Sequence, residues 1–216
     1  MDSTRGRRPA AADAEQFWEQ HYRTRRAWDA RVNPLLAETA APLRPGAALD
    51  LGCGTGGDTL WLAQQGWHVT AVDISTTAVE RVRERAGELG LADRVVTERH
   101  DLADSFPAGE FDLISAQYFQ TPFPLLRGRV LRTAAGALRR GGLLLIVDHG
   151  STAPWSWDQD PDIHYPTPTE VAAELDLDPA HWSVLRADMP HRRATGPTGE
   201  TATVIDNVLL VQRTAV

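Results

Sequence analysis

The sequence predicts an α/β fold: a doubly wound, mostly parallel sheet with helices on both faces. Three observations lead to it. Short apolar runs of strand length alternate with helical patterns from residue 47 to residue 147. The first run, Ala47, Ala48, Leu49 and Leu51, breaks into a loop with Gly52, Gly54, Gly56 and Gly57. The second, residues 67–72, ends on Asp73, which lies roughly 20 residues past the glycine turn, where an acidic group would meet a ribose. Parallel strands joined by right-handed crossovers carry ligands beyond their carboxyl ends, and the polar groups singled out below all fall on that edge.

Taken in order, residues 1–12 read as a disordered, Arg-rich tail and 13–216 as one domain, with 13–45 an N-terminal helical segment. Residues 14–22 form a short helix with Phe17, Trp18, His21 and Tyr22 on adjoining turns. Residues 23–31, with Trp28, read either as a surface crossover or as part of a lid. Asn33 and Pro34 are the N-cap and first turn of a helix reaching about residue 41. After the strand at 47–51, residues 58–65 carry no breaker and stop at Gly66. Residues 75–90 place Val79, Val82, Ala86 and Leu89 on one helical stripe, with charged residues around the rest. A polar third strand at 94–99 suits a sheet edge.

The fourth strand, 111–116, is followed by Gln117 and Tyr118. Pro122 and Pro124 precede a helix to about Arg140, with Leu126, Val130, Ala134 and Leu138 as its buried stripe and Gly141-Gly142 as its stop. Residues 143–147 are continuously apolar, a strand buried on both faces that ends in Asp148 and His149. A long loop, 150–166, holds Trp155, Trp157, His164 and Tyr165, and structureless loops of this length tend to be functional. Thr167, Pro168 and Glu170 make a capping box for a helix to about 177, and 182–187 and 201–213 are the last two strands.

Composition excludes several chemistries. The 216 residues contain no lysine, so all 22 basic side chains are arginine, which removes Schiff-base and Walker-type lysines. A single cysteine, Cys53, permits no intrachain disulfide or multi-thiolate metal site. Its place in the glycine loop suits a small packing residue better than a reactive thiol. The net charge of −7 disfavours a phosphate-tracking surface, so small molecules rather than nucleic acid are the expected partners. No apolar run is long enough to span a bilayer and residues 1–12 lack a signal-peptide core, which makes a cytoplasmic location the expectation. Monomer and homodimer both remain open.

The segments L-D-L-G-C-G-T-G-G-D-T-L-W-L-A and V-T-A-V-D-I-S resemble the first two signatures of class I methyltransferases that use S-adenosylmethionine. F-W-E-Q-H-Y-R-T-R-R-A-W is similar to the lid of small members such as tellurite-resistance and thiol or thiopurine methyltransferases. The resemblance implies a Rossmann-like, seven-stranded sheet whose last strand is antiparallel. It also implies that Tyr22, Arg23 and Trp28 close over the cofactor and that Asp50 orders a loop, Gly52, Cys53, Gly54, Thr55 and Gly56, holding the methionine end. Asp73 with Ile74 would take the ribose, Asp101 with Leu102 the adenine, and Gln117 and Tyr118 would stand near the reacting methyl group.

The resemblance of the lid to enzymes acting on thiols and chalcogen anions makes a small-molecule sulfur or other soft nucleophile the first expectation for the methyl acceptor, with oxygen or nitrogen as the alternative. A thiolate needs no general base; a phenol or amine would call on His149, and Tyr118 stands beside the reaction by position. Asp148, Trp155, Trp157, His164 and Tyr165 are the acceptor-site candidates, His191, Arg192 and Arg193 are further ones, and the two arginines fit a solvated hairpin better. No metal-ligand spacing stands out. A nicotinamide oxidoreductase and a non-catalytic cofactor-binding protein are the competing readings.

Overall fold

The computed structural model describes residues 11–24, 31–156, 159–160, 162–196 and 198–214. Within them the strands are β1 (Ala47–Leu51), β2 (His68–Asp73), β3 (Val95–Arg99), β4 (Phe111–Gln117), β5 (Leu138–His149), β6 (Trp182–Asp188), β7 (His191–Thr195) and β8 (Thr201–Arg213). The helices are α1 (Ala11–Thr24), α2 (Pro34–Ala40), α3 (Gly57–Gln64), α4 (Thr76–Glu88), α5 (Arg127–Gly136) and α6 (Pro168–Leu175). The sheet order is β3-β2-β1-β4-β5-β8-β6, with β8 antiparallel to both neighbours and the other ladders of that path parallel. This is a Rossmann-like sheet, wound in both directions from β1.

Strand alternation sorts the core into two layers. Ala48, Val69, Ala71, Leu113, Leu145 and Val147 face α2, α3 and α4, where Leu36, Leu60, Trp67 and Val82 pack. Leu49, Leu51, Val72, Ile114, Leu144 and Ile146 face α5 and α6, through Leu131, Ala134, Val171 and Leu175. Each fully buried side chain of this kind stabilises the fold by about 1.5–3 kcal/mol relative to exposure. Capping sets the helix starts: Asn33 accepts from the Leu35 amide, Ser75 from the Ala78 amide, and Thr167 and Glu170 form the reciprocal capping box.

Four sequence expectations change. Helix α1 begins at Ala11, inside the stretch read as tail. Helix α5 ends at Gly136 rather than near Arg140, because Leu138 already pairs with Phe111 as a strand residue. Residues 139–142 then bulge opposite Asp112, whose carboxylate holds Arg139 at 2.8 Å, and β5 resumes at Leu143. Leu126 and Leu89, assigned to buried stripes, are 73% and 40% exposed because each lies at a helix cap, outside the packed turns. Finally, the connection between the last two strands is not a plain loop. Strand β7 pairs with Thr201–Ile205 of β8 beyond the main sheet, so an eighth strand projects past the carboxyl ends.

The switch point of the winding lies between β1 and β4, where crossovers leave in opposite directions and open a crevice. Gly56 closes one side of it: it has φ +77°, and an added Cβ would come within 2.6 Å of Val82. Gly56→Ala is expected to lower stability by about 1–3 kcal/mol in a urea titration, through strained backbone and overpacking together.

Candidate functional site

The site is built from the glycine turn after β1 and the carboxylate at the end of β2. The Gly52 and Cys53 amides both donate to the Val72 carbonyl, at 2.9 Å each, which ties the turn to the neighbouring strand. Asp73 accepts from the Gly54 amide and the Ser75 amide, each at 3.0 Å, so one buried carboxylate fastens the turn to the start of α4. Asp50 accepts from the Thr59 hydroxyl at 2.5 Å, locking the strand to α3. Asp58 accepts from the Asn33 amide at 2.6 Å, and the Asn33 side chain donates to Gln117 at 2.8 Å, joining α2 to the end of β4.

Helix α1 covers this turn. Glu19 accepts from the Ser75 hydroxyl at 2.7 Å and from the Thr77 hydroxyl and amide at 2.6 Å and 3.1 Å, at the start of α4. Glu15 pairs with Arg99 at 2.6 Å and Arg81 donates to the Tyr22 carbonyl at 2.9 Å. The docked helix brings Tyr22 so close that a Cβ on Gly54 would lie 3.0 Å from its hydroxyl. Glycine is required there by close approach, besides its φ of +50°.

Two connected cavities lie under α1. The first, about 130 Å³, is bounded by Trp18, Tyr22, Gly52, Asp73, Ile74, His100, Asp101, Leu102, Gln117, Tyr118 and Phe119, among others. The second, about 680 Å³, is bounded by Trp18, Tyr22, Asn33, Asp50, Gly52, Cys53, Gly54, Thr55, Asp58, Gln117, Tyr118 and the 190–193 segment, among others. Most of the expected cofactor residues therefore converge. Gly56 stands behind them as the N-cap of α3, and Arg23 is exposed at the end of α1, away from both cavities. Trp28 and Trp157 lie outside the described residues.

The expected acceptor residues are not brought together. Asp148 is 1% exposed and forms a two-oxygen pair with Arg127, at 2.7 Å and 2.5 Å, as a strut between β5 and α5. Trp155 packs on Gly196, Tyr165 hydrogen-bonds Thr152 at 2.9 Å, and His164 stands 3.4 Å from Glu170 on the surface. None of them borders either cavity. The loop is held down by β8 instead, since the Gly150 amide donates to the Ile205 carbonyl and the Ile205 amide to Ser151, both at 2.8 Å.

The wall opposite the glycine turn joins the candidates Tyr118 and Arg192 to Asp206, which the sequence did not single out. Tyr118 takes φ +51°, an uncommon conformation for a large side chain. Its hydroxyl donates to Asp206 at 3.0 Å and accepts from Arg192 at 3.0 Å, while Arg192 Nε binds Asp206 at 2.5 Å. His149 stacks on the Tyr118 ring at 4.3 Å and borders neither cavity. Arg192 is thus a half-buried wall residue rather than a solvated one, because β7 folds back over β8. The signal for Asp206 was present: the one carboxylate of the last strand, set beside the apolar run Val208 to Val211, has to find a partner when buried.

The charges around the turn are unusual. Burial, then the nearby Asp58 charge, pushes Asp50 up to about 7; burial pushes Asp58 up to about 6, against the Asn33 amide. Burial likewise pushes Asp73 up to about 6, against its two amide donors. Burial, then the Asp73 charge, raises the Cys53 thiol well above its ordinary value, so the thiol stays protonated. Tyr118 is raised by burial and the Asp206 charge, and burial lowers His149 although part of its ring remains open to solvent.

Residues 48–142 match the family model described as a methyltransferase domain. The chain carries a class I methyltransferase domain. Over 135 residues it is 35% identical to the 27-O-demethylrifamycin SV methyltransferase of Amycolatopsis mediterranei, an alignment covering 61% of this chain and 49% of that protein. It is 35% identical to the probable thiol methyltransferase 2 of Arabidopsis thaliana, covering 59% of this chain and 60% of the relative. A solved structure described as "Conversion of a Disulfide Bond into a Thioacetal Group during Echinomycin Biosynthesis" superposes with a TM-score of 0.69 at 26% identity, covering 93% of each chain. The chain thus spans about half the length of the first of these curated relatives and three-fifths of the second.

The cofactor of this methyltransferase domain is S-adenosylmethionine, and the residues present fit it. A glycine cradle that a side chain would fill faces three carboxylates, Asp50, Asp58 and Asp73, none of which pairs with an arginine or histidine among the described residues. That arrangement suits a ligand carrying an ammonium and a sulfonium. Buried carboxylates with raised folded pKa values bind more protons folded than unfolded. The empty domain therefore loses stability as pH rises from about 4 through 7, and a cationic ligand offsets that loss. In thermal-shift titrations, stabilisation by S-adenosylmethionine is expected to be several degrees larger at pH 8 than at pH 5.5. S-adenosylhomocysteine, without the sulfonium charge, should show a smaller difference.

Proposed function

We propose that the protein transfers the methyl group of S-adenosylmethionine to the sulfur of a small molecule that reacts as its thiolate. The observation that carries this reading is that, among the described residues, no free base stands at the ends of β4 and β5, where the methyl group would lie, while Asp50 and Asp58 at the glycine turn are taken up by Thr59 and Asn33 on the cofactor's side. The Tyr118 hydroxyl is held between Asp206 and Arg192, His149 lies outside both cavities, and Cys53 is a buried thiol. A thiolate is already a nucleophile near neutral pH, whereas a phenol or ammonium has to lose its proton. The thiol-methyltransferase relative and the sulfur chemistry named for the solved structure support the same choice.

Within this reading, the Gly52 to Thr55 backbone, Asp50 and Asp58 hold the amino-acid end of the cofactor, Asp73 and Ile74 the ribose, and Asp101 and Leu102 the base. When bound, the cofactor supplies an electrophilic methyl on a positively charged sulfur. The chain's contribution is positioning and exclusion of water: Trp18 and Tyr22 close the crevice from above, and Gln117 and Tyr118 bound it at the end of β4. A second reading, O-methylation, is favoured by the rifamycin relative and by His21 and His191, the two imidazoles that border the larger cavity.

Two measurements test these assignments. Asp73→Asn is expected to weaken cofactor affinity at least tenfold by calorimetry while leaving the circular-dichroism spectrum folded. A panel of thiols, phenols and amines, scored by mass spectrometry, should give methylated thiol in a variant carrying His21→Ala and His191→Ala. Methylated phenol that disappears in that double variant would instead establish the oxygen chemistry.

A further inference from the structure

Arg192 stands on the cavity wall in a manner that its structural partners do not use up. Its Nε is bound to Asp206 at 2.5 Å and its Nη2 to the Tyr118 hydroxyl at 3.0 Å, while no partner occurs for Nη1 among the described residues. Asp206 is 1% exposed, and Tyr118, which lies under the guanidinium at 5.8 Å, is itself fixed by a positive φ and by the stacked His149. The guanidinium therefore cannot swing freely: two contacts on one side set its plane, and both N–H bonds of Nη1 are left over. Arg192 lies on β7, the strand added outside the seven-strand path, and borders the larger cavity beside Pro190, His191 and Arg193.

An oriented guanidinium with a remaining donor is a docking point for an oxyanion, because its N–H groups are planar and always charged. The acidic side of the cavity, Asp50 and Asp58, repels such a group, which leaves the β7 wall as the place for it. We propose that Arg192 is a specificity-determining residue that grips a carboxylate of the methyl acceptor, so that the acceptor class is carboxylate-bearing thiols. This rests on the methyltransferase reading of the same cavity. Asp206 and Tyr118 act as positioning residues, holding the guanidinium rather than touching the acceptor.

The test uses the 216-residue chain saturated with S-adenosylhomocysteine and compares 2-mercaptobenzoate with its neutral analogue 2-mercaptobenzamide by calorimetric titration. The wild type should bind the carboxylate at least tenfold more tightly. Arg192→Gln should erase that preference while S-adenosylhomocysteine affinity moves less than twofold. Because Arg192→Gln leaves a buried carboxylate unpaired, an Arg192→Gln and Asp206→Asn double variant provides a neutral pair that keeps the fold testable, and it should lose the preference equally. Equal affinity of the wild type for the two probes overturns the proposal. So does a parallel loss of S-adenosylhomocysteine affinity in the variants, which would assign Arg192 to the cofactor's own carboxylate. Failure of the wild type to bind S-adenosylhomocysteine would instead strike the underlying reading, and the two probes titrated against the unliganded protein would still report on Arg192.

Discussion

The hydrogen bond from the Gly54 amide to the buried Asp73 carboxylate ties the two halves of the site together. The glycine turn after β1 is a mobile kind of segment by composition, and left alone it would sample many conformations. Asp73, at the tip of the adjacent parallel strand, takes the Gly54 amide on one oxygen and the Ser75 amide on the other, so a single anion sets both the turn and the start of α4. Its ionised form is disfavoured by burial, as are those of Asp50 and Asp58 nearby. The domain therefore concentrates unneutralised acid where a cationic cofactor is to lie. Electrostatic preorganisation of this kind stabilises the complex at the expense of the empty protein.

Around that centre the chain adds two devices from its ends. Helix α1 is fastened across the crevice by Glu19 on the start of α4, a carboxylate that benefits from the unpaired amides there, by the Glu15–Arg99 ion pair and by the Arg81 hydrogen bond to the Tyr22 carbonyl. Strand β7 leaves the sheet path and folds over the first half of β8, which carries Arg192 into contact with Tyr118 and Asp206. The following residues of β8, 206–212, pair directly with β5, His149 opposite Asp206, so the wall continues the sheet that supports it.

Most residues expected around the cofactor border the cavities, Gly56 and Arg23 do not, and the residues expected around the acceptor lie elsewhere. Asp50, Gly52, Gly54, Asp73, Asp101, Gln117 and Tyr118 all border the cavities, because each lies at a strand end and strand ends are set by local hydrophobic pattern. Trp155, His164 and Tyr165 were chosen for residue type within a long loop and Asp148 and His149 for the tip of a strand, and pattern reports neither which way a loop runs nor which tip residues are paired off. Asp148 illustrates the difficulty: the carboxylate is at the expected strand end, but its partner Arg127 is 21 positions away on α5. Conversely, Arg192 looked like hairpin surface until β7 paired with β8.

Sequence alone determined the alternation of strands and helices, the placement of the glycine turn and Asp73 on one sheet edge, the helix caps at Asn33 and Thr167, and the absence of lysine chemistry. These follow from periodicity, φ preferences and residue inventory, which act over a few neighbouring residues. Tertiary structure decided where α5 yields to β5, which carboxylates are paired and which stand alone, how α1 is anchored, and that Tyr118, Asp206 and Arg192 share one wall. Those depend on contacts between residues up to 88 positions apart, whose strength comes from burial that only the assembled sheet provides.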